Sequence, residues 1–258
     1  DDCKKFQLIS KDYSKVIWIG MEYRYMPPVK KLIERVHNKT LGKLKMVSIR
    51  EHRFPFLKKV DNWNRFDSNT GGTMVEKCCH FFDLMRFITQ SEVKQVFASG
   101  SQEVNHLDEK YNGKVPDIID NGFVIIDFQS GVRGLLDLCM FAENSEYQEE
   151  VVVIGDKGKI EAFVPSHDSG KNISEVKMGM RNSSTIITDD IEVDKKILMA
   201  GHHHGSTYFE HLAFYDAIKN NTQPDVSLED GLMSVAIGQA AELSIKENRV
   251  IKMSEFNL

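Results

Sequence analysis

The chain has 258 residues, of which 41% are hydrophobic and 28% charged, with a formal charge of −5 and a pI near 6.0. These values fit a globular protein able to bury a core, and they carry no electrostatic footprint for nucleic acid. No apolar run approaches the ~18 residues that a membrane-crossing helix needs. Cysteines 3, 78, 79 and 139 lack the spacing of a disulfide framework, so a reducing compartment, the cytoplasm, is expected.

The first residues, from Asp1 and Asp2 through Phe6, Leu8 and Ile9, show a helical pattern, and Val16–Gly20 reads as a buried strand ended by glycine. The chain therefore reads as opening inside an α/β unit. Pro27 and Pro28 suit a helix start, and Val29, Leu32, Ile33 and Val36 supply its apolar face. Leu44–Arg53 alternates around Leu44, Met46 and Ile49 and predicts a strand. Residues 54–69 form a loop long enough to suggest function, with Trp63, Asn64 and Arg65 in it.

Thr70–Thr89 is the organising stretch, predicted as one helix. Met74, Val75, Cys78, Phe81, Phe82, Met85 and Ile88 cover its apolar face, while Glu76, His80 and Asp83 form a polar stripe. Gly71 and Gly72 allow another group to approach the helix start closely. The pattern then turns to β structure. A strand is predicted over 93–104, followed by a hairpin over 121–128 and 132–141 and a second over 149–154 and 159–164. Strands near 174–178 and 184–193 follow, then helices over 205–220 and 228–247 and a final strand over 249–253. Ser227 with Asp230 marks the start of the last helix. The expected class is α+β, a large open, mostly antiparallel sheet with helices packed on one face.

Tyr23-Arg24-Tyr25-Met26-Pro27, Leu41-Gly42-Lys43-Leu44, Trp63-Asn64-Arg65 and Gly71-Gly72-Thr73-Met74-Val75-Glu76-Lys77-Cys78-Cys79-His80-Phe81-Phe82-Asp83 follow one another in an informative order. With Val153-Ile154-Gly155-Asp156-Lys157-Gly158 and Gln223-Pro224-Asp225-Val226, this set resembles the Gfo/Idh/MocA oxidoreductases, the glucose–fructose oxidoreductase and inositol dehydrogenase family. The resemblance implies a Rossmann domain followed by an α/β substrate and oligomerisation domain. Residues 1–25 would be the end of the first and 26–258 the second. Neither a Gly-x-Gly-x-x-Gly turn nor the family's Glu-Lys-Pro motif occurs in the 258 residues, so little activity is expected of this chain alone.

The implied function is NAD- or NADP-dependent oxidation of a sugar, polyol or related hydroxyl compound, in a homo-oligomer formed through the open sheet. Spacing alone favours His80 as a core histidine satisfied by a neighbour. The resemblance reverses that preference and makes His80 the catalytic base, with Glu76 one turn earlier to orient it. It implies substrate contacts at Trp63, Arg65 and His204 and a cofactor contact at Arg24; no metal is expected, because adjacent histidines such as His202–His204 rarely converge on one ion and no nearby Cys, Asp or Glu completes a zinc site. A non-catalytic binding or oligomerisation module is the other principal reading. A metal-dependent hydrolase or isomerase using His80 and His202–His204 is a third.

Overall fold

A computed structural model describes residues 2–166 and 169–256. Helix α1 (Asp2–Ser10) opens the described chain and buries none of its residues. Asp1, where the predicted pattern begins, lies outside the described residues. Helix α2 (Pro27–His37) starts at its proline pair and buries Val29, Leu32, Ile33 and Val36, as their spacing requires. Strand β1 (Leu44–His52) precedes three helical pieces: α3 (Asp67–Thr70), α4 (Thr73–Glu76) and α5 (Cys79–Thr89).

Strands β2 (Val93–Ser101), β3 (Asn121–Phe128), β4 (Arg133–Cys139), β5 (Tyr147–Gly155), β6 (Gly158–Pro165), β7 (Ile173–Met180) and β8 (Ile186–Glu192) come next. The chain continues through α6 (Lys195–Leu198), α7 (Ser206–Asn220), α8 (Leu228–Glu247) and β9 (Ile251–Lys252). Among the described residues, nine strands form one open sheet in the order β8-β7-β6-β5-β1-β4-β3-β2-β9. The β1–β4 pair is parallel and the others are antiparallel. Both predicted glycine hairpins are present, as β3–β4 and β5–β6. Helices α2, α5 and α8 pack on the sheet, and Ser227 and Asp230 make the capping box that starts α8. The fold is α+β, as the patterning predicts.

Three local expectations need correction. Val16–Gly20 joins no ladder; it is tied down by the Ile19 N–H donating to the Val226 carbonyl at 3.3 Å. In β1 the buried phase is Val47, Ile49 and Glu51, while Met46 is exposed. Alternation around the larger Met46 hid a glutamate on the inward face.

The predicted 70–89 helix is interrupted at Lys77 and Cys78. The Thr73 carbonyl accepts from both the Lys77 and Cys78 N–H groups, at 3.0 and 3.1 Å, which opens the turn. Lys77 turns inward there, its Nζ 2.9 Å from Glu51. Before the break, Gly72 has φ 95° and stands where a β-carbon would strike the Glu242 carboxylate of α8. That carboxylate accepts from the Met74 N–H at 2.9 Å and caps α4. The glycine pair thus admits a protein carboxylate.

Candidate active site

The inward phases of β1 and β5 converge on a costly arrangement. Glu51 follows Val47 and Ile49 on the helix-covered face, Glu149 precedes Val151 and Val153, and the register pairs Glu51 with Glu149 across the strands. Their exposures are 0% and 1%. Like charges directly opposed in a sheet repel, and burial removes the water that would soften the cost.

Cations and hydroxyls gathered from other elements offset it. Lys77 reaches Glu51, Arg53 Nη1 lies 3.3 Å from the same oxygen, and the Tyr23 hydroxyl donates to it at 3.3 Å. Lys77 also donates to the Tyr23 hydroxyl and lies 4.9 Å from that ring's centre. Glu149 accepts from Gln148 Nε2 at 2.6 Å and contacts His203 Nδ1 at 3.0 Å. Burial pushes the Glu149 pKa up, with Lys77 chief among the groups that oppose it. The second oxygens of Glu51 and Glu149 have no hydrogen-bond partner.

His203 and His204 arrive on a contorted backbone. Both have φ 54° and Gly205 follows at φ 86°, so two residues with side chains occupy the left-handed region in succession. Each costs of order 1–3 kcal/mol, a strain that tends to collect at functional sites. Burial holds both imidazoles below the ordinary histidine range, His203 well below it, so both are neutral near pH 7. The Nε2 of His204 is buried without a partner.

His203 Nε2 lies 3.9 Å from Glu22 Oε1, and His80 Nδ1 lies 3.3 Å from Glu22 Oε2. Tyr23 stacks on His80 with ring centres 5.1 Å apart. Burial works to raise the Glu22 pKa, but His80, His203, Lys77 and its own backbone N–H hold it below the usual value. Glu22 is therefore an ionised carboxylate between two imidazoles.

The sequence-predicted residues fall into separate places. His80 is in the cluster, partly exposed, and His204 borders it. Glu76 lies beyond the helix break and is ion-paired with Lys59 at 2.6 Å. Trp63 is 38% exposed, with the Lys59 ammonium 5.1 Å from its ring centre. Arg65 is buried against Glu109 at 2.8 Å and the Phe56 carbonyl at 3.2 Å.

Arg24 is bound on three sides. It grips Asp83 through bonds of 2.6 and 2.5 Å, donates to the Asp225 carbonyl at 2.9 Å and approaches Asp230 at 3.5 Å. Burial works against its charge, but Asp83 outweighs that and holds the guanidinium pKa up.

Glu22, Glu51, Lys77 and Glu149 were not anticipated as site residues, and His203 entered only through the metal-dependent reading of His202–His204. The available signal was a glutamate at the inward phase of each of two strands. Glu149, Lys171, Lys195 and the three histidines line a cavity of about 590 Å³. Among the described residues, no three His, Cys, Asp or Glu side chains are grouped to hold a metal ion. An ionised carboxylate beside a partly exposed imidazole can orient a proton acceptor, and the unpartnered oxygen of Glu149, which lines the cavity, can accept from a hydroxyl group.

The pattern of the C-terminal α/β domain of an oxidoreductase family matches residues 33–253. The chain belongs to that family, the Gfo/Idh/MocA oxidoreductases. It is 30% identical over 249 residues to myo-inositol 2-dehydrogenase of Thermotoga maritima, covering 95% of this chain and 67% of that protein. It is 25% identical over 236 residues to the uncharacterised oxidoreductase YrbE of Bacillus subtilis, covering 91% of this chain and 62% of that one. The crystal structure of levoglucosan dehydrogenase in complex with NADH and levoglucosan shares the fold, with a TM-score of 0.78 and 15% identity over 98% of this chain and 70% of that one. Among the described residues, no helix is long and apolar enough to cross a membrane.

Proposed function

We propose that the protein is an NAD(P)-dependent oxidoreductase of a sugar, polyol or related hydroxyl compound, with His80 as the proton acceptor. The observation that carries this reading is the placement of His80. It is partly exposed, stacked on Tyr23 and faced by an ionised carboxylate, as a general base requires. In this reading the substrate occupies the cavity beside Glu149, His203 and His204. The free oxygen of Glu149 and the Nε2 of His204 accept from its hydroxyl groups.

His80 removes the proton of the reacting hydroxyl as the carbinol carbon gives up hydride. NAD(P)⁺, when bound, accepts that hydride. Within these 258 residues no Gly-x-Gly-x-x-Gly turn is available to cradle a pyrophosphate. The isolated chain is accordingly expected to bind NADH poorly and turn over little, which fluorescence titration tests. Trp63 is assigned to the rim of the substrate approach. Arg65 and Arg24 hold the loop and the 22–25 segment in place, and Glu76 with Lys59 forms a charged edge near His80.

In this reading the full-length protein has a nucleotide-binding domain besides these residues; so completed, it is expected to reduce NAD⁺ or NADP⁺ in the presence of a polyol or sugar, and His80→Ala to lose at least about a hundredfold in kcat. Unchanged turnover in that variant would falsify the assignment.

A self-associating reading has its own support. Phe97, Phe123, Ile125, Leu135 and Met46 form an exposed apolar patch on the sheet face opposite the helices. Patches of this kind mark interfaces, and a second copy of the chain is the proposed occupant. Phe123→Glu should convert the oligomer to a monomer in sedimentation velocity; a wild-type chain that sediments as a monomer at 100 μM excludes it.

A further inference from the structure

We propose that Glu22, rather than Glu76, is the carboxylate that positions His80 and stabilises the imidazolium it becomes. The inference rests on the reading of His80 as the proton acceptor. Three successive residues of the 22–24 segment each engage α5. Glu22 faces His80 Nδ1, Tyr23 stacks on the His80 ring, and Arg24 grips Asp83, one turn further along the helix.

The segment is anchored again from below, because the Tyr23 hydroxyl is held by Lys77 and Glu51. Glu22 is thereby fixed relative to His80 by the contacts of the two residues that follow it. Glu76 has no comparable tie: the break at Lys77 and Cys78 separates it from α5, and its carboxylate is spent on Lys59 at 2.6 Å.

The two oxygens of Glu22 have different tasks. Oε2 lies 3.3 Å from His80 Nδ1 but off the hydrogen-bond line, so the contact can tighten as the ring gains charge. Oε1 lies 3.9 Å from Nε2 of His203, whose other nitrogen is held by Glu149 at 3.0 Å. With Nδ1 turned to Glu22, Nε2 of His80 is the nitrogen that takes the proton. The substrate O–H bond breaks, an N–H bond forms at Nε2, and the positive charge is shared with Glu22. Hydride leaves the same carbinol carbon with its electron pair for the nicotinamide dinucleotide.

The test uses the full-length protein and four variants: H80A, E22Q, E22D and E76Q, each checked for an unchanged melting temperature. Expected are a fall in kcat of about a hundredfold for E22Q with KM within twofold, partial recovery in E22D, and kcat within about threefold of wild type for E76Q. In ¹⁵N-histidine spectra, which need no turnover, E22Q should move the His80 Nδ1 resonance and E76Q should not. Near-normal kcat and an unmoved resonance in E22Q, with H80A inactive, overturn the proposal and leave the general-base reading standing. Full activity in H80A overturns both.

Discussion

Two charge networks, one partly and one almost wholly buried, flank α5 and are built on opposite terms. In the first, Arg24 holds Asp83 and Arg86 holds Glu92 in bidentate pairs, Asp230 makes one contact to each arginine, and the Arg24 guanidinium lies 4.2 Å from the centre of the Phe87 ring. In the second, Glu51 and Glu149 face one another across a strand pair, an oxygen of each is buried without a partner, and so is Nε2 of His204. A fully paired network holds structure together. A network with free acceptors beside a cavity has capacity left for a ligand, at a cost in stability.

The sharpest way to break this comparison is Arg24→Leu. It strands Asp83, which is wholly buried, and should cost ~3–5 kcal/mol by urea unfolding. Arg24→Met combined with Asp83→Leu should recover most of that loss, because neither charge is then left alone. If the single variant costs under ~1 kcal/mol, the first network is not structural.

Lys77→Met attacks the second network and should cost ~2–4 kcal/mol at pH 8, since Glu51 and Glu149 lose their bridging cation. Part of the loss should return on acidification. Glu149 has a raised folded pKa, so below that value the folded state holds a proton that the unfolded chain has released. Stability therefore rises as pH falls through the folded pKa. A pH-independent loss contradicts this account.

Glu242 gives a smaller effect of the same sign. Burial, aided by Asp67, raises its pKa to about 7 against the Met74 N–H bond. Between pH ~4.5 and ~7 the folded state binds the extra proton, so stability falls by ~1–3 kcal/mol as pH rises through that window. Glu242→Gln keeps an acceptor for Met74 and should flatten the dependence, measured as melting temperature against pH. Smallest is Ser227→Ala, expected to cost ~1 kcal/mol through the cap of α8.

The sequence was most legible where one physical signal dominated. Glycine turns located β3–β4 and β5–β6, the proline pair located α2, and Ser227 with Asp230 located α8. The polar site was less legible because its residues are brought together by register and by a helix break. Nothing local distinguishes the inward Glu149 from its outward neighbour Glu150 until the strand phase is known. Regular helical spacing grouped Glu76 with His80, whereas the inward pull on Lys77 parts them. Val16–Gly20 had the composition of a strand but no partner edge, so it is irregular backbone seated against the Val226 and Gly231 region.

The position of β1 also bears on biosynthesis. It is made early yet occupies the middle of the sheet, pairing in parallel with β4 and antiparallel with β5. Its two edges therefore wait for residues 133–139 and 147–155, which pair with it from about 87 to 111 positions downstream. During synthesis this strand spends its longest interval unpaired, with Ile49 and Val47 open to other chains. Closure of those contacts joins β4 and β5, consecutive in the chain, into one sheet. A ribosome-stalled chain ending before residue 147 should accordingly be the most chaperone-dependent intermediate, and one extended well past residue 155 should lose that dependence.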